Sequence, residues 1–381
     1  MMTIQFQSLG FDYLQTKSFI KYTCSNGQWD QGTLESDPHL SIHVGATCLN
    51  YGQSCFEGIK AFQMKDSKIR IFRPELNWKR LSQSCVALSL EPVPKDIFLE
   101  ALTRVVKDNI EYVPPYGSQG SLYLRPVVLG MEPLIGLAPS KVTVFYVFVM
   151  PVGNYYTGGI GKPIKSIIQH GFNRAAPYGT GHVKVGGNYA PCFGPTADAK
   201  KKGYTITLFL DSKQERFIEE FATSNFAALT LPDDEGKRTY VTPKSRSILP
   251  SVTNRSLSEL ARKHFGWKVE RRPIECSELS LFDEVAACGT AVVLTPVGEI
   301  HREIPDTSKP LKKMKMEAKS EEEAIWDDEL EETFEMKVEK LAEFSQDCKG
   351  FKMLYDAYRQ LQLGELDGWE SYNWLWPENG I

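Results

Sequence analysis

The sequence lacks a long apolar run, an excess of charge of one sign and any CxxC pair of cysteines. Its best apolar stretch, residues 142–150, is strand length, whereas a bilayer-spanning helix needs about 20 apolar residues, so no membrane partner is expected. Lysine and arginine number 44 against 48 acidic residues, and the resulting net charge of −4 argues against a nucleic-acid partner. Eight cysteines dispersed over 381 residues indicate reduced thiols rather than a disulfide framework.

Several motifs of well-known sites are also missing. No GxGxxG stands between a strand and a helix, which leaves a dinucleotide-binding fold unsupported. The segment GGIGKP at 158–163 has no Ser or Thr after its lysine, and no GxSxG supports a serine hydrolase. No Cys and His residues combine in the spacing of a zinc site, so no metal is expected. The first residues show neither a signal-peptide stretch nor an Arg-rich amphipathic pattern, and we expect a cytoplasmic location.

The chain is otherwise that of a globular protein, with 42 % hydrophobic and 24 % charged residues, and its length fits two to three domains of roughly 150 residues. Four glycines and a proline in 153–163 indicate a linker. We therefore predict a small N-terminal domain over 1–152, an interdomain loop over 153–163 and a large domain over 164–381. Helical spacing predicts a helix over 96–112, with an apolar stripe of Leu99, Leu102, Val105, Val106 and Ile110.

A charged segment at about 307–345 interrupts the predicted large domain. It starts with a cluster of lysines and then turns acidic between 321 and 332. We interpret it as a solvated, partly helical surface insertion, with a partner-docking element as the alternative.

The densest chemical signal is GTGHVKVGGNY at 179–189, in which Lys184 has glycines on both sides. Glycines let the backbone approach a ligand closely, and a lysine on such a segment suits Schiff-base chemistry when its amine is held and partly desolvated. A glycine-rich loop with an exposed lysine is the equal alternative when this segment is taken alone.

Seven motifs in order make the resemblance specific. They are YGQSCFEGIKA at 51–61, FRPELNWKR at 72–80, SLYLRP at 121–126, GTGHVKVGGNY at 179–189, IEEFATSN at 218–225, ILPSVTNRS at 248–256 and GTAVVLTPV at 289–297. In this order and spacing the chain resembles the branched-chain amino acid aminotransferases, pyridoxal-phosphate enzymes of fold type IV, as a fungal-like paralogue. The resemblance implies an α+β fold with a smaller N-terminal α/β domain and a larger C-terminal pseudo-barrel domain. It also implies a homodimer with shared active sites.

The resemblance implies a role for each matched residue. Lys184 matches the Schiff-base lysine, Glu220 the carboxylate facing the pyridine nitrogen, and Tyr189 the tyrosine at the phenolate oxygen of pyridoxal 5'-phosphate. The tandem of Glu219 and Glu220 leaves a register ambiguity, and the spacing to Thr223 and Asn225 favours Glu220. Further cofactor contacts are implied for Arg80, Arg174, Thr223, Val252, Thr253 and Thr290. Substrate contacts are implied for Tyr51, Phe56, Tyr123, Arg125, Tyr155 and Ala291. Tyr51, Ile135 and Leu137 match residues that, in the family, reach across from the neighbouring subunit.

The implied function is transamination between a branched-chain or similar apolar L-amino acid and 2-oxoglutarate. A paralogue serving secondary metabolism is compatible with every matched catalytic residue. The nearest rivals within the fold type are a D-amino acid or (R)-amine aminotransferase and a 4-amino-4-deoxychorismate lyase. A PLP-binding protein without activity is the remaining alternative, which the intact set of catalytic residues disfavours.

Overall fold

The computed structural model describes residues 5–6, 9–153, 160–308, 312–313, 332–333 and 335–381. Two large β-sheets, each with helices packed against it, make up the architecture. The strands are β1 (Phe19–Ser25), β2 (Gln28–Trp29), β3 (Thr33–Glu35), β4 (Ser54–Phe56), β5 (Ile59–Gln63), β6 (Ile69–Phe72), β7 (Ser121–Gly130), β8 (Val142–Val152), β9 (Ile164–Ile168), β10 (Ile206–Leu210), β11 (Ile218–Phe221), β12 (Ser224–Leu229), β13 (Thr239–Pro243), β14 (Lys268–Arg272), β15 (Glu284–Gly289), β16 (Val293–Pro305), β17 (Lys312–Lys313), β18 (Glu332–Thr333), β19 (Met336–Glu343) and β20 (Leu375–Trp376). The helices are α1 (Thr47–Asn50), α2 (Pro74–Ala87), α3 (Lys95–Asp108), α4 (Phe193–Lys201), α5 (Val252–Lys263) and α6 (Lys349–Leu363).

The first sheet has the strand order β2-β1-β8-β7-β5-β6-β20, with β3 beside β1 and β4 beside β7. Strand β7 shows how its two faces differ, because side chains alternate along a strand. Leu122 and Leu124 are fully buried in the core cluster that also contains Phe98 of α3. Tyr123 and Arg125, between and after them, lie on the opposite face, which is turned towards the candidate site.

Helix α3 follows its predicted stripe except at the end. Leu102, Val105 and Val106 are buried, but the helix ends at Asp108. Ile110 therefore falls outside the helical register, in a short 3-10 turn, and its side chain is 53 % exposed. The prediction that Ile110 belongs to the buried stripe was wrong.

The second sheet closes on itself. Its order is β11-β10-β9-β16-β15-β12-β13-β14, and an additional pairing of β11 with β12 joins six of these strands in a ring. A two-residue turn, Ala222 and Thr223, connects β11 to β12. Backbone pairs bring Glu220 opposite Asn225 and Asn225 opposite Cys288, so one rim of the ring collects the ends of β11 and β15 and the start of β12.

The end of the chain returns to the first sheet. Strand β20 pairs with β6, so residues from the predicted large domain complete the sheet of the predicted small one. Helix α6 begins where the buried carboxylate of Glu284 accepts the N–H groups of Gly350 and Phe351, both at 2.8 Å. Among the described residues, no helix is long and apolar enough to cross a membrane.

The charged segment lies largely outside the described residues. Its last part, Met336–Glu343, forms strand β19 on the outer edge of β16 instead of the predicted helical structure. The apolar side chains in residues 336–342 do not alternate regularly. Residues Glu299–Pro305 of β16 pair with this segment, and these backbone contacts stabilise it as a strand.

Candidate active site

A cavity of about 350 Å³ lies at the barrel rim and is walled by residues from both sheets. Residues of β4 and β7 form one side, and the turns after β11 and β15 form the other. The cavity brings together predicted residues that are far apart in sequence: Phe56, Arg80, Tyr123, Arg125, Arg174, Lys184, Tyr189, Glu220, Thr223, Thr290 and Ala291.

The remaining predicted residues lie elsewhere. Ser251 lines the cavity, and Val252 and Thr253 follow it as the first residues of α5. Tyr51 is 44 % exposed and donates a hydrogen bond to the carbonyl of Ile135 rather than lining the cavity of its own chain. Tyr155 lies outside the described residues.

Lys184 is held by the small domain through its backbone. Its N–H donates to the Ser84 hydroxyl at 3.0 Å, and its carbonyl accepts from the N–H of Phe56 at 3.1 Å. The buried Nζ donates to the Tyr189 hydroxyl at 2.8 Å and lies 4.6 Å from the centre of the Phe56 ring. Burial, reinforced by the positive charge of Arg80, lowers the pKa of Lys184 to about 7. A large fraction of this amine is therefore neutral, and nucleophilic, near neutral pH.

Glu220 is the acid that reaches the cavity. One of its oxygens contacts Arg174 at 2.7 Å and accepts the N–H of Leu249 at 2.9 Å, while the other accepts from Asn225 at 2.8 Å. Burial raises the pKa of Glu220 to about 7, and Arg174 opposes that rise. The neighbouring Glu219 is also buried but bonds to Ser245 and Ser247, away from the cavity wall.

Arg80 is anchored by a residue that sequence reasoning missed. Glu57 is fully buried and takes two bonds from Arg80, from Nε and from Nη2, both at 2.7 Å. Asn77 donates a further bond to the same carboxylate at 2.7 Å. Glu57 belongs to the motif YGQSCFEGIKA, and an acidic residue among the mostly apolar and small residues of 55–61 was the available signal.

Arg125 presents a charge without an ionic partner. Its guanidinium stacks 5.0 Å from the Phe56 ring centre, and Nη2 donates to the Tyr123 hydroxyl at 2.9 Å. In the described part of the chain no carboxylate lies within ion-pair distance of it. The apolar rings and this cation together form a wall that accepts both a hydrocarbon and an anionic group. The described residues contain no group of three or more His, Cys, Asp or Glu side chains that could hold a metal.

Comparison with known proteins identifies the family. The profile described as amino-transferase class IV matches residues 54–300. A branched-chain-amino-acid aminotransferase of Helicobacter pylori is 43 % identical over 297 residues, covering 78 % of this chain and 86 % of that protein. Aminotransferase poxL of Penicillium oxalicum is 42 % identical over 283 residues, covering 74 % of this chain and 76 % of that protein. The chain is an aminotransferase of class IV.

Solved structures agree on the fold. The branched-chain amino acid aminotransferase of Escherichia coli aligns with a TM-score of 0.65 at 24 % identity, covering 93 % of this chain and 98 % of that one. That of Thermobaculum terrenum, solved in its PLP form, aligns with a TM-score of 0.67 at 19 % identity, covering 95 % of this chain and 98 % of that one. The predicted α+β fold of type IV is confirmed.

Replacing Glu57 by Ala should destabilise the protein, because it leaves the Arg80 guanidinium buried without its carboxylate. We expect the free energy of unfolding of the cofactor-free protein to fall by about 3–5 kcal/mol, measured by urea denaturation. The matched control is Glu35→Ala, which breaks the partly exposed pair with Lys21 and should cost about 1 kcal/mol or less. Equal losses in the two variants would contradict this account of the buried pair.

Proposed function

We propose that this chain catalyses PLP-dependent transamination between a branched-chain or similar apolar L-amino acid and 2-oxoglutarate, giving the 2-oxo acid and L-glutamate. The observation that carries the proposal is the Lys184 amine, buried in one cavity with Glu220 and Arg80 and 2.8 Å from the Tyr189 hydroxyl. Relatives at about 40 % identity are named branched-chain-amino-acid aminotransferases, which supports the substrate class.

The residues present fit the phosphate of PLP. Arg80 has five N–H donors, and Glu57 and the Pro250 carbonyl account for three of them. Two donors therefore remain on a guanidinium that lines the cavity. The first N–H groups of α5, on Val252 and Thr253, have no acceptor within the helix, and a helix N-terminus favours an anion.

The same residues supply the remaining contacts and the proton transfers. PLP, when bound, supplies an aldehyde that captures the substrate amino group and a ring that withdraws electrons from the substrate Cα. Glu220, fixed by Arg174 and Asn225, would hold the ring nitrogen in its protonated form. The Lys184 amine takes the proton from the substrate Cα, which its pKa near 7 allows at neutral pH. Tyr189, whose pKa is raised by burial, keeps its proton and orients the lysine amine.

The substrate walls suit two kinds of side chain. A branched aliphatic side chain would pack on Phe56, Tyr123 and Ala291, each buried methylene contributing about 0.8 kcal/mol. The distal carboxylate of 2-oxoglutarate would approach Arg125, whose charge has no acidic partner in the described residues.

The proposal is tested by single half-reactions of the purified holoenzyme. We expect L-leucine, L-isoleucine or L-valine to convert the bound cofactor to its amine form, seen as loss of its visible absorbance, and D-alanine to be a poor donor. Lys184→Ala should abolish this conversion, because proton transfer at the substrate Cα needs the amine and the cofactor loses its covalent attachment to the protein. A Lys184→Ala protein with near-normal turnover would refute the assignment.

The tandem acids supply a matched pair of variants for that experiment. Glu220→Gln keeps the shape of the side chain but removes the charge next to the ring nitrogen, and we expect the rate to fall at least ~100-fold, or ~2.7 kcal/mol of barrier. Glu219→Gln should affect the rate far less, because its carboxylate bonds to serines outside the cavity wall.

Replacing Arg125 by Met should separate the two half-reactions. We expect the 2-oxoglutarate half-reaction to slow by about 10- to 100-fold, as for the loss of a charged hydrogen bond of about 1.5–3 kcal/mol, with the leucine half-reaction changed only a few-fold. The exposed Arg271, which does not line the cavity, supplies the control Arg271→Met. An equal loss in both half-reactions would show that Arg125 supports the wall as a whole and does not recognise the acceptor.

We also propose that the protein is a homodimer. Val44, Ile135 and Leu137 are 82 %, 84 % and 90 % exposed, and they lie on two loops joined by a bond from the N–H of Leu134 to the carbonyl of Gly45. Apolar side chains gathered on one surface are typical of an interface, and a second copy would cover them.

The dimer is tested by solution mass. Asp substitutions at Ile135 and Leu137 together should yield a monomer with reduced leucine activity, because each active site would lose the wall supplied by its neighbour. The control is Leu231→Asp, at a residue that is 69 % exposed on the separate loop between β12 and β13 and should leave the dimer intact. A fully active wild-type monomer would refute both the dimer and the shared site.

A cytoplasmic location stays a prediction of the sequence.

One observation keeps a second donor class open. Relatives named aminotransferase poxL and transaminase htyB, the latter from Aspergillus rugulosus, are 42 % and 40 % identical to this chain, much like the branched-chain enzymes. If the enzyme reacts with none of the three branched L-amino acids but accepts another donor, the protein is a paralogue of different specificity. The proposed donor class would then be wrong, whereas the PLP-dependent chemistry would still hold.

A further inference from the structure

Lys60 is a buried amine that the proposed chemistry does not use. It lies on β5 directly opposite Tyr123 of β7, and it is 6 % exposed. Its Nζ crosses to the second sheet and donates to the carbonyl of Ala291 at 2.8 Å. Among the described residues no carboxylate lies within ion-pair distance of it, and burial lowers the pKa of Lys60 to about 7.

Burying this amine costs stability. Taking a charged group out of water costs free energy that a close counter-charge offsets best, and in the described structure Lys60 has only the Ala291 carbonyl as an acceptor and the Phe11 ring, whose centre is 5.9 Å from Nζ. An apolar side chain of similar length would fill the same space without that cost. The contact with Ala291 therefore needs an explanation other than the stability of the fold.

The segment that Lys60 contacts is strained. Strands β15 and β16 are joined by three residues, Thr290–Val292, and the next residue, Val293, has φ of +70°. Glycine adopts this left-handed conformation easily, and a β-branched side chain such as that of Val293 does not. Such a conformation costs about 1–3 kcal/mol and persists only where surrounding contacts hold it.

The same hairpin tip forms part of the substrate end of the cavity. With the phosphate at Arg80 and Ser251 and the reacting carbon at Lys184, the part of the wall left for the substrate contains Phe56, Tyr123, Arg125 and Ala291. Lys60 is not among the lining residues but contacts this wall at two points, as the strand partner of Tyr123 and the hydrogen-bond donor to Ala291.

We propose that Lys60 is a positioning residue that ties the Thr290–Val292 tip to the small domain and thereby sets the substrate end of the cavity. It acts through the Ala291 carbonyl and has no part in holding the cofactor. This inference rests on the proposed function, since it assigns the substrate to that end of the cavity.

The experiment compares Lys60→Met with Lys60→Arg in the holoenzyme. The probe is 4-methylvalerate, which has the shape of leucine without its amino group, and its binding is followed by the change in cofactor absorbance. We expect the probe to bind at least ~10-fold more weakly to Lys60→Met, because the tip that contacts it is released. Lys60→Arg keeps a donor for the Ala291 carbonyl and should stay within about threefold of the wild type.

Cofactor affinity, measured by titrating PLP into the cofactor-free variants, separates positioning from general loosening. The affinity for PLP should change by less than about twofold in both Lys60 variants. In the control Lys68→Met, on the exposed turn after β5, probe binding should also change by less than about twofold. Unchanged probe binding in Lys60→Met, or an equal loss of probe and cofactor affinity, would overturn the inference. Failure of the wild type to react with any branched L-amino acid would instead count against the proposed function.

Discussion

The distribution of two buried carboxylates among the four cations that line the cavity is the constraint on which this site depends. Glu57 pairs with Arg80 and Glu220 with Arg174, each at 2.7 Å, which leaves Lys184 and Arg125 without an acid of their own in the described structure. The guanidiniums stay charged and fixed. The unpaired lysine, next to the positive Arg80, loses part of its affinity for a proton, and this loss makes its amine a nucleophile and a base near neutral pH.

Closure of the barrel fixes the position of Glu220 in its pair with Arg174. The two-residue turn between β11 and β12 sets Glu220 opposite Asn225, so the amide that bonds the carboxylate is fixed by backbone register rather than by side-chain freedom. The pairing of β12 with β15 then brings the Thr290–Val292 tip to the same rim. Because these positions follow from strand pairing, this part of the site is assembled when the ring closes.

The sequence allowed us to predict residues whose role is visible in their own motif, but not residues whose role depends on a partner far away in the chain. Lys184 stands out between glycines, and Glu220 follows from its motif. The role of Glu57 is not visible in the sequence, because its partner Arg80 is 23 residues away and meets it only when α2 packs on the sheet. From the sequence alone Lys60 would be taken for a surface residue, because its hydrogen-bond partner Ala291 lies 231 residues further along the chain. Ile110 fits a helical period, but the period could not show that α3 ends at Asp108.

The two sheets divide the work of the cavity unequally. The rim of the barrel carries Glu220, Thr223 and Thr290, which we propose to contact the cofactor, whereas β4 and β7 carry Phe56, Tyr123 and Arg125, which we propose to contact the substrate. Contacts that cross between the two halves fix each side relative to the other, and three of those near the cavity go to backbone: Arg80 to Pro250, Lys60 to Ala291 and Phe56 to Lys184. Since the crossing bonds to Pro250, Ala291 and Lys184 use carbonyl oxygens, they are insensitive to side-chain changes at those positions. Substitutions on β4 and β7 can therefore alter which amino acid is accepted while the groups that handle the proton stay in place, which is how one scaffold can serve donors of different shape.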